Sequence, residues 1–317
     1  MKRIVILAGA LALLATPVAA EDSLKLAIGQ INNWENQAPT LGQDAGFFKK
    51  HGLVLENYGT AGAGETVQAV ISGSADIGAG VGVAGVMRAY QKGAPVRIIA
   101  PAFTGTSDLY WYVKADSPIK SLKDTTDKNT IAYSTNGSSS NNIVVAFVEE
   151  LGAKAKPTST GGPPATLTSV MSGQIDIGWA APPFGLQEIQ DGKIRIIARG
   201  SDVPSLRGQT VRVLIANANA LKARKDAIVR FMQGYREAVD WMYASPDAVQ
   251  MFAKKTGVAE NLVRDSMNQF QPKETMQTDQ MADLDGAIRD AVKLKFLDAP
   301  LTKEQLADFI QIPPRTK

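Results

Sequence analysis

The chain has 317 residues, 44% of them hydrophobic, a formal net charge of +3 and no cysteine. That is enough apolar mass for two lobes of ordinary domain size, while the missing thiol excludes disulfides, a cysteine nucleophile and a lipid-attachment residue. Basic residues are scattered, as at Lys49, Lys50, Arg88, Lys92, Lys222, Arg224 and Lys225, so there is no basic stripe interleaved with aromatics and nucleic acid is not expected as a partner.

At the N-terminus, Met1 to Arg3, the apolar run Ile4 to Ala15 and the small residues up to Ala20 form the three parts of a secretory signal peptide. Residues 1–20 are expected to be removed, with cleavage after about Ala20, leaving a free periplasmic protein that is not a lipoprotein. The apolar run is shorter than the roughly 20 residues a membrane span requires.

Leu24 to Ile28 reads as a strand, Gln30 to Asn36 as a polar loop carrying Trp34, and the next stretch as a helix through Phe47 and Phe48. His51, the sole histidine, follows Lys49 and Lys50 and precedes Gly52, which suits a charged helix end. A strand at Leu53 to Glu56 follows, then the loop Thr60 to Gly64, a helix, a strand at Ala75 to Gly78, a helix at Val83 to Gln91 and a strand at Val96 to Ala100. Leu109 to Lys114 reads as an extended crossing into a second lobe.

Ala69 to Gly80 and Ser169 to Ala180 align at a spacing of 100 positions and share six identical residues, including Ser-Gly and Asp-Ile-Gly. In both copies an apolar helix stops at glycine and a short strand follows, so each lobe carries a helix-to-strand joint of an α/β unit. Asp76 and Asp176, matched in the two copies, read as acceptors for local backbone donors. The second lobe begins with a strand at Thr130 to Tyr133, the Ser/Gly-rich loop Ser134 to Ser140, and a helix whose apolar face is Val144, Phe147, Val148 and Leu151, stopped by Gly152. Ile194 to Ala198 parallels Val96 to Ala100, and Val211 to Ala216 returns the chain to the first lobe. Beyond Ala220 helices dominate: Ile228, Phe231, Met232, Tyr235, Val239 and Met242 mark one face, Ser245-Pro246 opens another helix, and Thr302 with Gln305 has capping-box spacing.

No Gly-x-Ser-x-Gly elbow, zinc-ligand cluster or calcium loop is present, so neither catalytic residues nor a metal are expected. Gly80 to Gly85 fits G-x-G-x-x-G, yet the next strand ends in Pro101 and Ala102 without the acidic residue that would hold a ribose, so no dinucleotide or other cofactor is assigned. Those glycines suit close packing or a ligand-lining loop. Ser134 to Ser140, ahead of a helix, suits an anion or the helix cap. Trp34 and Trp179 lie just past strands in opposite lobes and are candidates for lining a cleft.

The segments Gly46 to Glu56, Ser72 to Gly78, Asp116 to Leu122 and Ser172 to Gly178, in this order behind a signal peptide, resemble the exported solute-binding proteins of ABC transporters, nitrate/sulfonate/taurine type. The resemblance implies an α/β, two-lobed periplasmic-binding-protein fold (type II), with lobes joined by two crossover strands and a helical C-terminal region. It places lobe 1 at 21–108 and 211–317 and lobe 2 at 109–210. It also implies a monomer that captures a small organic anion, a sulfonate or an aromatic solute and delivers it to an ABC permease, without catalysis. The ligand-binding residues it implies are Gln30, Asn33, Trp34, Ala63, Gly64, Gly80 and Val81 from lobe 1, and Thr135, Asn136, Gly137, Ser138, Ser139, Gly162, Trp179, Ala180 and Pro182 from lobe 2. The absence of Arg and Lys from these loops speaks against nitrate. A ligand-loaded sensor and a pyrimidine-related enzyme on the same scaffold are the alternative readings.

Overall fold

The computed structural model describes residues 21–315; the expected signal peptide over 1–20 lies outside them. The first lobe contains β1 (Asp22–Gly29), α1 (Ala38–Asp44), α2 (Phe47–Lys50), β2 (Leu53–Thr60), α3 (Ala63–Ile71), β3 (Ile77–Gly82), α4 (Val83–Gln91) and β4 (Val96–Thr104). The second contains β5 (Tyr110–Lys114), β6 (Thr130–Tyr133), α5 (Ser139–Leu151), β7 (Lys156–Ser159), α6 (Pro163–Met171), β8 (Gly178–Ala180), α7 (Leu186–Gln190) and β9 (Ile194–Arg199). The chain then returns through β10 (Thr210–Asn217) and ends in α8 (Ala218–Ala223), α9 (Lys225–Ala244), α10 (Pro246–Thr256), α11 (Glu260–Gln269), α12 (Leu284–Lys293) and α13 (Lys303–Phe309).

The first sheet runs β2-β1-β3-β10-β4, with β1 parallel to β2 and β3 and with β10 antiparallel to β3 and β4. In the second lobe β5 lies antiparallel between β8 and β9, β6 pairs parallel with β7, and an Ile131–Ile177 bridge ties β6 to the residue ahead of β8. Read across, β7-β6-β8-β5-β9 repeats the first order position by position. In both lobes the fourth strand is the antiparallel one delivered by a crossing.

The sequence repeat is therefore a structural repeat. Asp76 Oδ2 accepts the Lys25 backbone N–H at 2.9 Å, and Asp176 Oδ2 accepts that of Thr130 at 2.8 Å. Each carboxylate pins the start of the neighbouring strand to its helix-to-strand joint. The Thr60–Thr66 hydroxyl pair at 2.6 Å is likewise copied by Thr160–Thr166 at 2.6 Å.

Strand periodicity sorts the first lobe's core. Leu24, Leu26 and Ile28 of β1 face a cluster completed by Ile228, Phe231, Met232 and Tyr235 of α9, whereas Ala27 faces Val70, Val86 and Ile98 on the opposite side. A sheet covered on both faces gives the nearly continuous apolar strands seen here. A separate cluster around Trp111, Phe147, Ile177 and Trp179 fills the second lobe. The expected face of α9 is buried, Ser245 caps α10, and Thr302 and Gln305 form a capping box.

Four details differ from expectation. Gly46, at φ 86°, breaks the first helix into α1 and α2. β3 begins at Ile77 and runs to Gly82, so Gly80 and Val81 belong to a strand and not to a loop. Val148 is 39% exposed because it sits at the edge of the α5 stripe. β7 was not anticipated; it contains Pro157 and lies at a sheet edge, where the missing N–H is tolerated.

Candidate functional site

The lobes are joined where the two crossings run side by side: Gly105 N–H donates to Gln209 O at 2.7 Å, and Gly200 N–H to Leu109 O at 2.9 Å. Beside this junction lies Arg212, a single charge in the buried run of β10. Its Nη1 donates to Ser139 Oγ at 2.9 Å, its Nη2 pairs with the Asp108 carboxylate, and its Nε is 3.2 Å from Glu35 Oε1. The guanidinium also lies over the Phe103 ring, 4.8 Å from the centroid. One side chain thus links the turn after β1, both crossings and the start of α5 in the other lobe.

This network is buried: Glu35 and Arg212 are each 4% exposed and Asp108 is fully enclosed. Burial pushes the Glu35 carboxyl up to about 8, with Arg212 pulling it down and the like charge of Asp108 pushing it up. Burial also raises Asp108, which Arg212 opposes. Two acids and one guanidinium are held where surplus charge is costly. At neutral pH Glu35 keeps its proton, so a single negative charge faces the single positive one.

Ser134 Oγ and Trp179 Nε1 are buried and have no hydrogen-bond partner within the protein, whereas Glu35 shares a side-chain hydrogen bond with Asp108. Glu35, Ser134 and Trp179 border one space between the lobes, together with Gln30, Ala63, Gly80, Ser138, Ser139 and Arg212. Buried polar groups without partners are uncommon and call for an explanation. The N-terminus of α5, a helix of 13 residues, opens on the same space; Ser138 caps it by accepting the Asn141 N–H at 3.1 Å. A groove between α3, α4 and the 136–137 turn is wider, but no residue lining it carries a buried, unpartnered side-chain atom.

Of the residues expected to bind ligand, Gln30, Ala63, Gly80, Ser138, Ser139 and Trp179 border this space. Asn33 supports it from behind, donating to Gln30 Oε1 at 2.7 Å. Trp34 does not face it: the indole is fully buried, edge-on to Tyr243 and Phe252 in the first-lobe core. Val81 and Ala180 are core residues of their sheets. Pro182 uses its carbonyl to accept from Gln271 at 3.0 Å, and Asn136 accepts from the Tyr133 hydroxyl at 2.7 Å. Sequence reasoning missed Glu35, Asn36, Leu109, Asp108 and Arg212, and marked Ser134 and Ser140 only as the ends of the Ser134 to Ser140 segment. An arginine inside the apolar run Val211 to Ala216 was the available signal, because a charge in a buried strand requires a partner.

Gly64, Thr135, Gly137 and Gly162 have another place, at the contact between lobes. Gly64 N–H donates to Thr135 Oγ1 at 3.2 Å and Gly85 N–H to Gly137 O at 3.2 Å. A Cβ on Gly82 would lie 2.7 Å from Gly137 O, one on Gly85 2.8 Å from the same oxygen, and one on Gly162 3.3 Å from Ala61 O. Gly80, at φ 75°, would place a Cβ 2.9 Å from Gly29 O. The glycine pattern from 80 to 85 is thus explained by a tight strand and by backbone-to-backbone closure of the lobes. Gly85→Ala is expected to favour α4 by about 1 kcal/mol in helix propensity yet hold the lobes apart. X-ray scattering at saturating ligand should show a larger radius of gyration for the variant than for the wild type; equal radii would contradict this account of closure.

The arrangement can be set beside known proteins. No curated protein sequence matches the chain. Among solved structures, the alkanesulfonate-binding protein SsuA of Xanthomonas axonopodis pv. citri, bound to MOPS, is similar with a TM-score of 0.75 at 14% identity, over 93% of this chain and 100% of that one. The periplasmic aliphatic sulphonate binding protein SsuA of Escherichia coli has a TM-score of 0.69 at 16% identity, over 93% and 94%. The periplasmic nitrate-binding protein NrtA of Synechocystis PCC 6803 has a TM-score of 0.67 at 16% identity, over 90% and 84%. The fold is that of the periplasmic binding proteins. Residues 36–249, two thirds of the sequence, match the family described as NMT1/THI5 like, and the chain belongs to that family.

Proposed function

We propose that this protein is the solute-binding component of an ABC-type importer, working in the periplasm, where it captures a small organic solute between its lobes and delivers it to a membrane permease. The observation that carries this reading is the pair of unpartnered buried atoms Ser134 Oγ and Trp179 Nε1 from the second lobe, on a space that Gln30, Glu35 and Gly80 of the first lobe also border. A ligand that joins them to the first lobe rewards closure with hydrogen bonds that neither lobe makes alone. The N-terminus of α5 suits the solute's acceptor end, whether sulfonate, carboxylate or ring carbonyl, and Trp179 suits its body. Capture without chemistry agrees with the binding proteins of similar fold.

The free space among these residues is about 10 Å³, the scale of a single water. A solute of several heavy atoms therefore enters only when the lobes part. The test is a thermal-shift screen of sulfonates, carboxylates, pyrimidines and aromatic acids on protein unfolded and refolded to strip any bound solute. A ligand at about 100 times its dissociation constant adds about 2.7 kcal/mol of stability, a rise in Tm of several degrees for a protein of this size. No shift above about one degree across the panel would count against solute capture.

A further inference from the structure

We infer that the groove between α3 and α4, end-walled by the 136–137 turn of the second lobe, is the surface on which an acidic segment of the membrane permease docks. This rests on the solute-delivery reading and adds the place and the charge of the contact.

Helical periodicity builds the groove. Val67, Gln68 and Ile71 form one stripe along α3, Arg88, Ala89 and Lys92 form one along α4 and its C-cap, and both stripes line the same free space of about 330 Å³. Val67, Ile71, Ala89 and Ala94 give it a half-buried apolar floor, while Gln68, Arg88, Lys92 and Asn136 stand exposed around it. An apolar centre inside a polar rim is the anatomy of a protein–protein contact.

Its charge is one-sided. Arg88 and Lys92 line it, no acidic residue does, and neither cation has a carboxylate partner among the described residues. Standing one turn apart on one face of α4, the two repel each other. A carboxylate seated between them replaces that repulsion with two charge-assisted contacts. The groove is also shaped by closure. Asn136 and Gly137 are held at its end where Gly85 N–H donates to Gly137 O at 3.2 Å and Gly64 N–H to Thr135 Oγ1 at 3.2 Å. Parting the lobes breaks these bonds and withdraws the end wall, so a segment that spans the groove binds the shut form more tightly. That dependence suits a permease that takes the loaded protein, whereas a lipid headgroup reads charge alone.

The test places a photoreactive benzoylphenylalanine singly at Gln68 of α3 and at Asn136 of the second lobe, both exposed, in the full chain expressed in its native host. The joined peptides are identified by mass spectrometry. Both positions should capture the same Asp- or Glu-bearing segment of a permease subunit. Arg88→Glu combined with Lys92→Glu should lower the yield at both positions at least about tenfold, whereas Arg88→Lys with Lys92→Arg, which keeps both charges, should not. The charge-reversed protein should remain folded and keep its ligand-induced rise in Tm, since neither cation borders the solute space. A product with lipid, with a second copy or with a segment lacking acids overturns the proposal, as does no product at either position or an undiminished yield after charge reversal. Solute capture is read separately, from the thermal shift of the unmodified protein, and stands or falls there.

Discussion

Replacing Arg212 with methionine is expected to destabilise the protein by about 3–5 kcal/mol, because it leaves two carboxyls buried with no counter-charge. Asp108 is fully enclosed and Glu35 nearly so, so neither can turn to water. The pH dependence gives the loss a signature. In the wild type the native Glu35, raised to about 8, holds a proton that the unfolded chain gives up near its ordinary value of 4.5. The native state thus binds more protons across that window, and stability falls as pH rises through it, levelling off above the native value. Without Arg212 both acids climb further, and the decline should extend to higher pH. Denaturant unfolding across this range measures both effects. Adding Glu35→Gln and Asp108→Asn to Arg212→Met should recover part of the loss, since the uncompensated charges are then gone. A loss below about 1 kcal/mol, the scale of an exposed pair, would mean that the network is not sealed from solvent.

The architecture was legible because the helix-to-strand joint was written twice, with Asp76 and Asp176, Ser72 and Ser172, and the stops Gly73 and Gly173 at equal spacing. Chain-order patterning then located most strands and helices, since each lobe alternates apolar strand and amphipathic helix. The Glu35–Asp108–Arg212 network was not legible. Its members stand 73 and 104 positions apart, in a turn and two crossings, and only the topology of β10 beside β4 brings them together. Trp34 failed for a different reason: an aromatic after a strand has the same local sequence whether it turns to the cleft or to the core. Here α9 and α10 supply Tyr243 and Phe252 as ring partners, and burying the indole among them outweighs exposing it. The glycines from 80 to 85 were marked as significant, but their partner across the cleft, Gly137, is set by how the lobes meet.

Trp179 is the residue at which core and site coincide, and its variants should separate the two roles. The indole is 1% exposed and sits opposite Trp111 across the β5–β8 ladder, within the second-lobe core, while its Nε1 is left without a partner at the inter-lobe space. Trp179→Ala should cost about 3–5 kcal/mol, the usual range for deleting a large buried aromatic, so weakened binding in that variant would mix local collapse with lost contact. Trp179→Phe keeps most of the apolar volume and removes the N–H. A hydrogen bond to ligand worth about 0.5–1.5 kcal/mol would then be lost, weakening the tightest compound of the screen by about two- to tenfold, while most of the fold's stability remains. In the wild type, ligand should change tryptophan emission, and in Trp179→Phe that change should shrink, because Trp34, Trp111 and Trp241 do not border the space. Unchanged affinity and unchanged quenching in Trp179→Phe would remove the indole from the site and confine it to the core.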